Sequence, residues 1–338
     1  MSSEANMCSM MVANRCSVVK DRCSRSFGHG FRSGLGWRDA LADRRRMTLR
    51  LAHRSLPFDG PPCMMGIVNV TPDSFYDRGA TAAPDAAIAR GLELVRAGAG
   101  IVDVGGMTAQ PGRALPEEEE IARVEGVVAA LRARLDVPIS IDTYRARVAD
   151  AALRAGADIV NDHTGLSDPD MAATIAGHRA GLVVTHLALT PKQAQEGRHA
   201  VSVDDIAQFL VTRAEAARAA GVGADAILVD PGLGFGKDTA TDLRTLAELP
   251  RLASLGYPLL LAPSHKEVTA EPLGLAESAL EGTAAVVALA AYLGVAVLRV
   301  HDLPFMAHVA RMAWLVRRQA AGAASSSAKN DGRNAPSR

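Results

Sequence analysis

Short, almost unbroken apolar runs recur along the chain at residues 64–70, 100–106, 138–143, 158–164, 181–188, 226–233, 258–264 and 296–302. Runs this short and apolar on both alternating faces are the pattern of parallel strands buried on either side. The gaps between them carry helical spacing. Ile121, Val124, Val128, Leu131 and Leu135 fall on one helical face, the mark of an amphipathic helix packed against a sheet. Further helices are predicted at 84–98, 145–156, 169–178, 203–220, 241–255, 279–293 and 304–319. Strand and helix thus alternate eight times, which predicts an α/β chain folded as a single TIM (β/α)8 barrel over residues 56–320. A doubly wound open sheet fits less well, because it uses fewer strands and wants a glycine-rich fingerprint after the first of them. That fingerprint is missing here.

The two ends read differently from this middle. Residues 1–55 are rich in Ser and Arg and poor in acids, without sustained period. Such a leader fits a transit peptide, a disordered extension, or translation from a codon upstream of Met47; a disordered extension is the expectation. Residues 321–338 carry the run AASSSAKNDGRNAPSR and are expected to be a disordered tail. Lys+Arg and Asp+Glu both number 37, so no net field favours a nucleic acid or an anionic membrane as partner. No stretch is long and apolar enough to span a bilayer. Cys8, Cys16, Cys23 and Cys63 lack metal-type spacing, and a reduced, cytoplasmic protein with incidental thiols is expected.

The chemistry gathers at the ends of the runs, where a barrel places its site. The first run ends in Asn69, followed by Thr71, Pro72, Asp73, Ser74 and Phe75. The next ones end in Asp103, in Asp142-Thr143, in Asn161-Asp162 and in Thr185-His186. The last three end in Asp230, in Ser264-His265-Lys266, and in Arg299 with His301 and Asp302. One such residue can be a helix cap; eight consecutive polar ends on one rim call for a ligand. Buried acids are costly without partners. A flat heterocycle with an amidine-like N–H edge would satisfy Asp142, Asn161 and Asp230 through paired hydrogen bonds, with Lys266 on its opposite edge. Arg299 and His301 alternate so that both face one side, which suits a phosphate or diphosphate. Asn69 and the loop behind it suit a magnesium ion bridging such a group. No nucleophile elbow, Walker loop or His-Glu metal motif is present. Residues 117–120 are expected to be a solvated acidic helix start. Lys237 is at least as compatible with the surface as with phosphate, Asp77 is read as a loop or turn residue, and His163, His178 and His308 have no evident partner.

Four motifs together are specific. GIVNVTPDSFYDRG (66–79), ISIDTYRARVADAALRAGADIVND (139–162), ILVDPGLGFGK (227–237) and LRVHD (298–302) resemble, in order and spacing, the signatures of the dihydropteroate synthase family, with the likeness running from Met64 to about Val316. The resemblance implies a transferase of folate biosynthesis. It condenses 6-hydroxymethyl-7,8-dihydropterin diphosphate with p-aminobenzoate and releases diphosphate. It implies Asp142, Asn161, Asp230 and Lys266 on the pterin, and Asn69, Arg299 and His301 on the diphosphate, with Mg2+ near Asn69. It places Thr108, Pro111, Phe235 and Ser264 around the aminobenzoate, and Asp142, Lys266 and Arg299 as the catalytic set. The implied mechanism is dissociative: diphosphate leaves, a pterin methylene cation forms, and the amine attacks it. A homodimer through the last helices, including Phe305–Val316, is also implied.

The chain departs from the family at the second substrate. Where the family carries Gly-Gly-Glu-Ser-Thr-Arg-Pro-Gly, this chain reads Gly105-Gly106-Met107-Thr108-Ala109-Gln110-Pro111-Gly112. The usual Ser-Arg-Lys reads Ser264-His265-Lys266, and Leu187 follows Thr185-His186. A neutral amide does not replace a guanidinium at an anion. This selective change resembles a divergent second-copy group of actinobacterial synthases with weak or no folate activity. Three expectations stand: an active synthase with a relaxed aminobenzoate pocket, a pterin-binding paralogue without turnover, or a transferase taking another amine. A pterin-dependent methyltransferase ranks last, since it has no use for Arg299 and His301.

Overall fold

The computed structural model describes residues 47–70, 84–107, 114–188, 198–275 and 279–331, with side chains to residue 320. A short antiparallel hairpin, β1 (Thr48–Arg50) and β2 (Ser55–Pro57), comes first. The barrel strands follow as β3 (Cys63–Asn69), β4 (Ile101–Gly105), β5 (Ile139–Asp142), β6 (Ile159–Asp162), β7 (Gly181–Thr185), β8 (Ile227–Asp230), β9 (Leu260–Leu261) and β10 (Val297–Val300). All neighbouring pairs are parallel, in the order β8-β7-β6-β5-β4-β3-β10-β9. A parallel bridge from Val229 to Leu259 returns β9 to β8 and closes the cylinder. The eight-stranded barrel read from the apolar runs is the observed fold.

Helices α1 (Pro84–Arg96), α2 (Glu117–Arg132), α3 (Ala146–Arg154), α4 (Met171–His178), α5 (Val203–Ala219), α6 (Thr239–Ala247), α7 (Leu249–Ala253), α8 (Leu280–Leu293) and α9 (Leu303–Asp331) fill the gaps. Local chemistry sets several of their starts. The Ser202 side chain accepts from the Asp205 N–H at the head of α5, and Asp238 accepts from Thr241 at the head of α6. Each such cap contributes about 1 kcal/mol. The periodic face of α2 is buried through Val124, Val128 and Leu131.

Alternation along each strand divides the core in two. Val102, Val104, Ile141, Val160, Val184, Val229 and Leu298 point outward into the layer beneath the helices. Met65, Ile101, Ile159, Val183, Leu228, Leu260 and Val297 point into the cylinder. This inner apolar layer lies at the N-terminal ends of the strands, and the hairpin packs against it through Leu49, Leu51 and Phe58. Arg54 ties the hairpin turn down by its salt bridge to Asp158 at 3.1 Å and a hydrogen bond to the Asp136 carbonyl. Leu49 is fully buried, and each large side chain so covered contributes roughly 1.5–3 kcal/mol.

Of the disordered extension expected over residues 1–55, the described part is ordered, because Thr48 already stands in a strand. The apolar positions of the hairpin, Leu49, Leu51, Leu56 and Phe58, are too few and too widely set among Arg and Ser to show as a run. At the other end α9 continues to Asp331, past the boundary expected at 321. The remainder of both terminal segments lies outside the described residues. Cys63 is half-buried at the start of β3, and the desolvation of its thiol pushes it up to about 12 and disfavours the reactive thiolate.

Candidate functional site

Two residues beyond several of the inner apolar positions the same face turns polar. Ile101 is followed by Asp103, Ile159 by Asn161, Leu228 by Asp230 and Val297 by Arg299. Strand register lays these side chains side by side at the C-terminal rim. Gly105 is opposite both Asn69 and Asp142, and Asp142 is opposite Asn161. Gly105 leaves the space between them open: a Cβ there would stand 3.7 Å from the Asp142 Cβ and 3.8 Å from the Asn69 Oδ1.

Arg299 is the centre of the set. Its Nε donates to Asp103 Oδ2 and its Nη2 to Asp142 Oδ2, both at 2.7 Å. Asn161 donates to the same Asp103 oxygen at 3.2 Å. Burial pushes the Asp103 carboxyl up, against the pull of Arg299. Burial acts in the same sense on Asp142, but Arg299, His163 and Lys266 outweigh it and hold that carboxyl below the usual range. Arg299 itself is raised, because the two carboxylates outweigh the cost of its burial. The guanidinium expected to meet a phosphate is thus a fixed counterion whose Nε and Nη2 are already engaged by the protein.

Asp230 is 3% exposed and accepts from the Gly232 N–H at 2.8 Å. Burial raises it to about 6, although Lys266, Lys237 and Arg299 pull the other way. The turn after β8 must pass close to other backbone. A Cβ at Gly232 would stand 2.1 Å from the His186 carbonyl oxygen, and Gly232 and Gly234 have φ of +67° and +71°, values that favour glycine. This turn brings the Lys266 ammonium within 2.8 Å of the Leu233 carbonyl and 4.0 Å of the Phe235 ring centroid. Burial lowers the Lys266 ammonium, with Asp230, Asp242 and Asp142 opposing.

His301 and Ser264 meet at the same rim, the serine oxygen lying 3.2 Å from both the His301 N and its Nδ1. Burial, with Arg299, His265 and Lys266, keeps the His301 imidazole well below its ordinary value and so neutral. His265, in a left-handed backbone conformation at φ 55°, places Nε2 2.7 Å from Asp302.

The structure brings Asp142, Asn161, Asp230, Lys266, Arg299, His301, Ser264, Phe235 and Asn69 to one end of the barrel, as the strand-end reading requires. Thr108, Pro111 and the first-loop residues 71–83, Asp77 among them, lie outside the described residues. Three other readings change. Lys237 is 2% exposed and donates toward His186 Nδ1 and the Phe235 carbonyl, both at 3.3 Å. It is a buried brace of the turn rather than a surface group, lowered by burial to about 8. Glu120 is fully buried, accepting from Thr143 at 2.9 Å and Arg145 at 2.8 Å, so only the earlier acids of that run face solvent. His163 has a partner after all: Nδ1 lies 3.0 Å from Asp142 Oδ1. His178 also has one, Asp150 at 2.8 Å. His163 and Asp103 belong to the site, and both were legible in principle as members of the inward rows Asn161/His163 and Ile101/Asp103.

Magnesium takes hard oxygen ligands. Among the described residues no group of three or more His, Cys, Asp or Glu is arranged to hold a metal ion. Asn69 offers a single amide oxygen, so the residues fit magnesium only as a companion of a ligand that supplies the other oxygens.

A closed barrel with an apolar floor and a rim of fixed charges defines a (β/α)8 protein built to hold a small polar molecule. The chain belongs to the dihydropteroate synthase family of pterin-binding enzymes, matching the family described as "Pterin binding enzyme" over residues 65–301. It is 43% identical to the "Inactive dihydropteroate synthase 2" of Mycobacterium leprae over 71% of this chain and 85% of that one. It is 38% identical to the dihydropteroate synthase of Synechocystis, over 74% of this chain and 88% of that one. Its fold superposes with a TM-score of 0.70 on the Xanthomonas albilineans dihydropteroate synthase solved in complex with 7,8-dihydropteroate. That pair shares 37% sequence identity, and the match covers 80% of this chain and 98% of the other. No helix among the described residues is long and apolar enough to cross a membrane.

Proposed function

We propose that this chain condenses 6-hydroxymethyl-7,8-dihydropterin diphosphate with p-aminobenzoate, forming dihydropteroate and diphosphate. The observation that carries the reading is the convergence of Asp142, Asn161, Asp230 and Lys266 on one buried rim around Arg299. Asp230 and Asn161 take the amidine-like edge of the pterin, Lys266 its opposite edge, and Asp142 stabilises the methylene cation left when diphosphate departs. The diphosphate lies toward Asn69, Arg299 and His301. Magnesium on it would offset the leaving-group charge, with Asn69 as the protein oxygen beside it. The amine comes in over Phe235 and Ser264, with Thr108 and Pro111 of the second loop completing its pocket. Fixed charges make such a site effective because they need no reorganisation as the transition state forms. A cytoplasmic homodimer accompanies this reading, the exposed Phe305, Met312 and Val316 of α9 forming the contact face.

A specific observation favours a second reading, a pterin-binding paralogue without turnover. A relative at 43% identity bears the name inactive, and Ala109 and Gln110 stand where the family has a hydroxyl and an arginine. Incubating the protein with the pterin diphosphate, with and without p-aminobenzoate, separates the cases. Dihydropteroate and diphosphate appearing together support the synthase. Tight binding without either product supports the paralogue, and diphosphate release only with another amine supports a different transferase.

A further inference from the structure

We infer that His163 accepts the proton lost by the attacking amine, a role that rests on the condensation proposed above. His163 opens the turn after β6, two residues past Asn161, and its side chain is 10% exposed. Its Nδ1 lies 3.0 Å from Asp142 Oδ1. The same carboxylate is bound by Arg299 at 2.7 Å. An ionised carboxylate is only an acceptor, so Nδ1 carries the hydrogen, and in the neutral ring Nε2 keeps its lone pair. Among the described residues Nε2 has no hydrogen-bond partner.

Neighbours fix the plane of the ring. Phe235 lies parallel to it, 6° between planes with centroids 6.0 Å apart, and Tyr144 meets it edge-on at 5.4 Å and 79°. The charged groups around it are Asp142 at the end of β5, Lys266 across Phe235, and Arg299 beyond Asp142. Asp162, beside it in sequence, is turned to its own loop, accepting from Thr164 and Leu166.

The step balances without another reagent. The C–O electron pair leaves with diphosphate, the amine lone pair forms the C–N bond, and the nitrogen becomes positive. That charge appears close to Lys266 and Arg299, both already cationic, so loss of an N–H proton relieves repulsion. Nε2 takes the proton, and Asp142 stabilises the imidazolium through Nδ1–H, the arrangement that serves general bases elsewhere. The proton passes to water as the product leaves. One pterin diphosphate and one amine give one dihydropteroate, one diphosphate and one proton.

His163→Asn tests this, since the amide can still donate to Asp142 but cannot accept a proton. Affinity for the pterin diphosphate should stay within about threefold while kcat falls about 100-fold, the lower end for general-base catalysis. Added imidazole should restore part of the rate. An unchanged kcat, or a lost rate that imidazole does not restore, would overturn the role. So would a loss of pterin affinity as large as the loss of kcat, which would mark a structural residue. Wild-type protein that binds without turnover sinks the condensation and this role together; turnover indifferent to His163→Asn sinks the role alone.

Discussion

Binding of a pterin should expel a proton from Asp230 when the pH lies below about 6. In the empty site burial raises this carboxyl to about 6, well above its ordinary value near 3.8. Between those values the folded protein holds a proton that the unfolded chain has lost. The empty protein therefore loses stability as pH rises through the window, by up to ~3 kcal/mol at about 1.36 kcal/mol per unit. A ligand with two N–H donors reverses this, because only the ionised carboxylate accepts from both. At pH 5 about one site in eleven is ionised, so affinity should be roughly tenfold weaker than at pH 7.5, a difference of ~1.4 kcal/mol. The suitable ligand is 6-hydroxymethyl-7,8-dihydropterin without its diphosphate, since a phosphate would itself ionise near pH 6. Titration calorimetry in buffers of differing ionisation enthalpy should count about 0.9 proton released per ligand at pH 5 and almost none at pH 7.5. Asp230→Asn should bind far more weakly and lose the pH dependence. Equal wild-type affinity at pH 5 and 7.5, or no proton release at pH 5, would refute the assignment of Asp230 to the donor edge.

Two further perturbations test the charges that frame the site. Arg299→Ala strands Asp103 and Asp142 without their cation and should lower unfolding stability by ~3–5 kcal/mol in urea; bare pterin should weaken along with its diphosphate, because Asp142 loses its anchor. Lys237→Met removes a buried ammonium held at about 8 rather than 10.5. Over that window the unfolded chain binds the extra proton, so wild-type stability should gain up to ~3 kcal/mol as pH rises from 8 toward 10, and urea melts of the variant should lack that gain.

The barrel was legible because strands buried on both faces leave unbroken apolar text, and the rim was legible because each run ends in a polar residue. Which polar groups pair was not. Arg299 reaches Asp103 and Asp142 only through the register of β10, β3, β4 and β5, and register across parallel strands leaves no mark on any one of them. Asp103 therefore looked like an unassigned acid, and Arg299 like a free cation awaiting phosphate. Lys237 and Glu120 were misplaced for a different reason. Both are residue types that favour water, and only the partners gathered by the fold, His186 and Phe235 for one, Thr143 and Arg145 for the other, allow their burial.

The hairpin beneath the barrel has a consequence for traffic. With Leu49, Leu51 and Phe58 stoppering the floor, the cylinder is a blind alley, and every molecule must use the same doorway. On the proposed reading, a heterocycle held at Asp230 and Asn161 enters through that doorway ahead of the amine. In the proposed condensation, diphosphate must leave by the same opening through which both substrates came, so traffic at that single mouth follows from the shape of the vessel.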